Sequence, residues 1–111
     1  MWDIFITAGA ALLGGLLGYG IAELISRYLD KAIEWFNQAW NGIQRVKRAV
    51  GILIMKGKRL YKRFVALLND DEIEEYEDTS DEGVQINRGE LNPEILKALD
   101  EDGYIPVKCY E

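Results

Sequence analysis

Residues 4–22 carry no charged side chain, and within this stretch Ala10, Gly14, Gly18 and Ala22 recur at every fourth position. Coiled into a helix, the stretch is about 28 Å long, close to the ~30 Å hydrocarbon core of a bilayer, with the four small residues on one face. Gly9, Gly14, Gly15, Gly18 and Gly20 each cost a water-exposed helix about 1 kcal/mol relative to alanine, so such a helix needs a packing partner. A face without bulky side chains lets two backbones approach closely, which is how small-residue helices associate in membranes. Residues 1–25 are therefore expected to form an apolar helix that anchors in a membrane and self-associates through Ala10, Gly14, Gly18 and Ala22. The same composition suits a helix buried between copies of a soluble assembly subunit. Met1, Trp2 and Asp3 supply no basic flank for a cleaved leader, so the segment is expected to stay in the mature chain.

The rest of the chain is governed by charge order. A net charge of −6 over 111 residues hides −2 in residues 1–34, +8 in residues 35–69 and −12 in residues 70–111. With no histidine and a single cysteine, Cys109, the chain lacks the commonest metal ligand and general base, and no internal disulfide is possible. No catalytic residue, cofactor or metal is expected. Asp100, Asp102 and Gly103 imitate part of a calcium loop, but Ala98 and Cys109 stand where its first and twelfth ligands belong. The glycines of residues 9–20 precede no Lys-Ser/Thr pair and cradle no phosphate.

Leu29, Ile33, Phe36, Trp40, Ile43, Val46, Val50 and Leu53 recur at steps of three or four, and the stripe resumes at Leu60, Phe64 and Leu67. This spacing predicts an amphipathic helix or helical hairpin over residues 26–69, with weak points at Gly42, Gly51 and Gly57. Arg45, Arg48, Lys56, Arg59, Lys62 and Arg63 would form a basic ridge headed by Trp35 and Trp40. That combination suits a lipid headgroup layer or an acidic partner. The positive-inside rule then places residues 23–111 in the cytoplasm. Residues 49–55 are wholly apolar but span only about 10 Å as a helix, too short to cross a bilayer, and are expected to make a buried helix contact.

Asp70, Asp71, Glu72, Glu74, Glu75, Glu77, Asp78, Asp81 and Glu82 fill nine of the thirteen positions 70–82. Such a run favours solvated chain, so residues 70–83 read as an acidic linker, or as an electrostatic clasp on the preceding cations. The same run argues against nucleic acid as a ligand of the basic ridge. Residues 84–111 form a small C-terminal segment that docks on a protein partner or on the helices. Asn92 and Pro93 start a short helix there, Gly103 ends it, and Tyr104, Ile105, Val107 and Tyr110 form an edge strand with residues 84–87 as its mate.

The expected fold is all-α, and the expected function is that of a small non-enzymatic membrane protein. It would self-assemble as a homo-oligomer through its small-residue helix face and present a charged cytoplasmic region to partners, possible roles being a pore-forming or membrane-disrupting effector restrained by the acidic tail. The alternative is a soluble structural subunit of a capsid, filament or secretion machine, with the apolar N-terminus buried between copies.

Overall fold

The computed structural model describes residues 23–91 and 93–111. Helix α1 (Glu23–Gly42) is followed by strands β1 (Val46–Lys56), β2 (Arg59–Leu68), β3 (Ile73–Glu77) and β4 (Val84–Gln85). A 3₁₀ turn (Arg88–Glu90), helix α2 (Pro93–Asp102) and strand β5 (Tyr104–Tyr110) complete the chain. The five strands make one antiparallel sheet in the order β3-β2-β1-β5, with β4 pairing the start of β2. The all-α expectation is thereby corrected: the long amphipathic helix ends at Gly42, and residues 46–68 form a β-hairpin.

The hairpin has a local cause. Lys56 pairs with Arg59, leaving Gly57 and Lys58 as a two-residue turn with Gly57 at φ 64°. A positive φ at the first central position is the type II′ requirement, which glycine meets without strain. On either side, Val46, Val50, Ile52, Ile54, Tyr61, Phe64 and Val65 favour a pleated, half-buried surface over a helix. The centre of the sheet is buried on both faces, so β1 and β2 show continuous apolar runs instead of alternation.

One face of the sheet receives α1 and α2. Tyr28, Ala32 and Phe36, spaced four apart on α1, are buried against Ala49, Leu53, Leu60, Phe64 and Tyr110, while Ile95 and Leu99 bring α2 onto the same core. Phe64 is its hub: its ring lies 6.1 Å from Phe36, 6.4 Å from Tyr76 and 5.5 Å from Tyr110, and Trp40 stacks on Tyr110 at 5.4 Å. Helix and sheet approach most closely at Gly51, where a Cβ would sit 2.3 Å from the Phe36 ring. A glycine inside this strand is thus a place for an aromatic ring and not a helix hinge.

Further expectations are corrected by the pairing. Ile73–Glu77, inside the stretch read as solvated linker, is a strand, because Ile73 and Tyr76 reach the apolar clusters while the acids flank them. Residues 84–87 do not pair with the last strand: β4 joins β2, and β5 joins β1 on the far side of the hairpin. Gly103, at φ 79°, ends α2 by donating its N–H to the Leu99 carbonyl at 3.0 Å, as the helix-ending expectation required. Among the described residues no helix is long and apolar enough to cross a membrane. The helix-on-helix packing and membrane-spanning expectations therefore find no element there, and residues 4–22, which raised them, lie outside the described residues.

Candidate functional site

The acidic run is built onto the open side of β2. β3 pairs with β2 from Arg63↔Glu77 to Leu67↔Ile73, and β4 resumes on the same side at Leu60↔Val84 and Arg59↔Gln85. Together they form one edge, interrupted by residues 78–83. That excursion holds itself with short local bonds. The Asp78 carboxylate accepts from the Ser80 N–H at 3.0 Å and the Ser80 hydroxyl at 2.6 Å, and Asp81 accepts from the Gly83 N–H at 2.9 Å. Gly83 sits at φ 73°, where a Cβ would lie 2.6 Å from the Leu60 carbonyl oxygen, so the return to the sheet requires glycine.

The excursion turns two carboxylates inward. Lys62 Nζ lies 3.4 Å from both Asp78 and Asp81, with the Lys62 and Asp81 side chains each only 10% exposed. The Tyr28 hydroxyl donates to Asp81 at 2.5 Å and accepts from the Lys62 backbone N–H at 2.9 Å, tying α1 to β2 and the edge loop at once. The Lys62 ammonium also stands 5.6 Å from the Trp35 ring and 5.7 Å from the Tyr28 ring. Burial and the Asp81 carboxylate push the Tyr28 phenol far above its ordinary pKa. For Asp81, burial works to raise the pKa, but the bonds from Tyr28 and Gly83 and the Lys62 charge outweigh it and hold the carboxyl below the usual range. Bonds from Ser80, aided by Lys62, do the same for Asp78. A phenol held protonated against an ionised, paired carboxylate suits holding structure together, not transferring protons.

The remaining acids divide into those that meet a described cation and those that do not. Arg63 pairs with Glu77 and lies 3.9 Å from Glu75; Lys56 is 3.9 Å from Glu77, and Lys47 is 2.6 Å from Asp71. The Arg59 guanidinium donates to the Glu82 carbonyl at 3.3 Å. Asp70, Glu72 and Glu74 are exposed, Glu74 accepting the Tyr76 hydroxyl proton and holding that phenol above its usual pKa.

The residues expected to form a basic ridge are thus dispersed. Trp35 and Trp40 lie on α1 and pack toward the sheet, and Arg45 lies in the α1–β1 connection at φ 60°. Arg48 and Lys56 lie on β1, and Arg59, Lys62 and Arg63 on β2, where strand alternation sends Lys62 toward α1 and Arg63 to the opposite face. Arg48 pairs with Glu111 at 3.1 Å. Ala10, Gly14, Gly18 and Ala22 lie outside the described residues. Tyr28, Ser80 and Gly83 take part in the site although sequence spacing did not single them out; a Gly two residues after an Asp that follows Ser80 was the available turn signal. Among the described residues, no three His, Cys, Asp or Glu side chains are grouped to hold a metal. Comparison with protein families, with curated proteins and with solved structures finds no match to this chain.

Proposed function

We propose that this chain is a non-enzymatic structural and binding subunit that presents the outer edge of β3 to a cationic, extended segment of a protein partner. The observation behind this reading is the partial neutralisation of the acidic run beside an open strand edge. Glu75 and Glu77 meet Arg63 and Lys56 on the face away from the helices, and Asp78 and Asp81 meet Lys62 on the helix side. Beyond β3 the sheet has no strand neighbour among the described residues, and Glu72 and Glu74, just before and at the start of that strand, are exposed without a salt bridge to any described cation. An open strand edge accepts an extended peptide through main-chain hydrogen bonds, while flanking side chains select which peptide. Carboxylates opposite one another repel and carboxylates opposite lysine or arginine attract, so the same edge turns away a second copy and admits a basic strand.

Titrating the full chain with an alternating Lys-Val peptide, with backbone amide resonances as the readout, tests the reading. Saturable shifts should centre on Ile73–Glu77, weaken as salt is raised and disappear when Glu72→Lys is combined with Glu74→Lys. Shifts scattered over the surface, or unaffected by that double substitution, would overturn it.

A further inference from the structure

The turn of the β1–β2 hairpin, strand β4 and the start of the 3₁₀ turn enclose a cleft of about 390 Å³, within the size range of small-molecule sites. Its apolar wall is Met55, partly buried, and Ile86, 7% exposed. Its polar wall is made by Lys58, Gln85, Asn87 and Arg88, and none of the described lining residues is an acid. The walls are tied in place. The Ile86 N–H donates to the Lys58 carbonyl at 2.9 Å and the Met55 N–H to the Gly103 carbonyl at 3.0 Å, which fastens the hairpin end to the segment after β4 and to the α2–β5 corner. The Arg88 guanidinium is held by Asp100 through bonds of 3.1 and 2.6 Å, so its charge is already answered. That of Lys58 is not. Lys47, Lys56, Lys62 and Arg63 on the same hairpin each meet a carboxylate, whereas the exposed Lys58 ammonium has no partner among the described residues. Beside it, the Asn87 side-chain oxygen accepts from the Gly89 N–H at 3.1 Å. That bond fixes which way the amide faces and leaves its NH₂ group as a donor with no partner among the described residues.

We propose that this cleft binds a small organic anion, a carboxylate that carries a short apolar body. The carboxylate meets the Lys58 ammonium and the Asn87 amide donor, and the body lies against Met55 and Ile86. Each part of the ligand follows from a part of the wall. One unanswered cation matches a monoanion; a phosphate dianion would call on Arg88 as well, and Arg88 is spent on Asp100. An exposed lysine by itself holds an anion weakly against water and salt. The apolar wall supplies what the charge does not, and methionine, with its flexible thioether chain, adapts to the shape of the body it covers. The cleft lies beside β4 and not on the outer edge of β3, so it takes a different ligand from the basic segment assigned to that edge, and its occupancy is read at different residues.

Titrating the full chain with hexanoate, hexanamide, acetate and inorganic phosphate at one ionic strength, with backbone amide resonances as the readout, tests this. Hexanoate should give saturable shifts centred on residues 55–58 and 85–88, with a dissociation constant on the order of 1 mM. Hexanamide keeps the body and loses the charge, and acetate keeps the charge and loses most of the body; each should bind at least about tenfold more weakly. Phosphate should bind no better than acetate. Two substitutions then probe the polar wall without touching the core. Asn87→Asp keeps an acceptor for the Gly89 N–H but replaces the donor by a carboxylate oxygen, and Lys58→Gln removes the exposed charge. Each should weaken hexanoate about tenfold or more, and the same spectra report that the variants remain folded. Hexanamide binding as tightly as hexanoate would remove Lys58 from the site, and acetate or phosphate binding as tightly would remove the apolar wall. Either result overturns the proposal, as do hexanoate shifts that fail to saturate, fall elsewhere or persist in both variants.

Discussion

The Tyr28 hydroxyl joins three elements through two bonds, and its removal breaks both together. Tyr28→Phe takes one donor from the Asp81 carboxylate, which keeps the Gly83 N–H and Lys62, and leaves the Lys62 N–H without its acceptor, which should cost about 2 kcal/mol in a urea unfolding experiment. The pH dependence has a definite sign on each side. Asp81 is held below its ordinary pKa, so its contribution is complete above the unfolded carboxylate value of about 4 and is lost as pH falls through the lower folded value. Tyr28 is held above its ordinary pKa, so its contribution is complete below about 10 and is lost as pH rises toward the folded value. Tyr28→Phe should therefore flatten the alkaline limb of a stability profile; a profile unchanged above pH 10 would show that the phenol does not hold the loop. Burial also pushes Tyr110 up to about 12, so a residual alkaline limb is expected in the variant. Gly51 tests packing in place of charge. Gly51→Ala puts a methyl group into the Phe36 ring, which is 0% exposed and surrounded by core, and should lower stability by about 1–3 kcal/mol through overpacking.

The hairpin of β1 and β2 decides how much of this architecture can be read in the chain. α1 is legible: Leu29, Ile33, Phe36 and Trp40 have helical spacing and lie within the helix, which ends at Gly42. From Val46 onward the same apolar steps of three and four continue by coincidence, because a strand buried on both faces has apolar residues at every position and satisfies any period. The distinguishing signals were β-branched enrichment and the Gly57-Lys58 pair midway between two apolar runs. Gly57→Ala meets no atom within 4 Å but keeps a φ of 64°, so its cost is conformational, about 1 kcal/mol. Gly57→Asn should cost less, since asparagine tolerates that region; equal losses in thermal unfolding would place the cost elsewhere. The acidic site is half legible for a related reason. Nine carboxylates in thirteen positions signal solvation, and composition alone does not reveal that Ile73 and Tyr76, among them, each find an apolar cluster once β2 lies alongside. Nor does it show which cation meets which acid, since that is fixed by the register Arg63↔Glu77 and by the residue 78–83 excursion.

At the scale of the whole molecule, the sheet ends in two open edges among the described residues, each with its own obstacle to joining another sheet. β5 carries Pro106, which has no N–H to give, beside a register shift against β1 between Gly51 and Ile52. β3 is regular, and only charge stands in the way of a second copy. That difference makes the acidic edge the controllable one. A chain with Glu72→Lys and Glu74→Lys, mixed with the native chain, should form a heterodimer through paired β3 strands, because the charges at those two positions then complement the native edge while the pairs of Glu75 and Glu77 with Arg63 and Lys56 stay in place. Neither chain alone should associate at the same concentration. Raising salt should weaken the heterodimer, since the charges are exposed and screened within about 10 Å at 0.1 M. Light scattering of the mixture against each component reads the result. If the mixture stays monomeric at low salt, carboxylate repulsion is not what keeps β3 unpaired, and the edge lacks the backbone geometry that recognition of a basic strand requires.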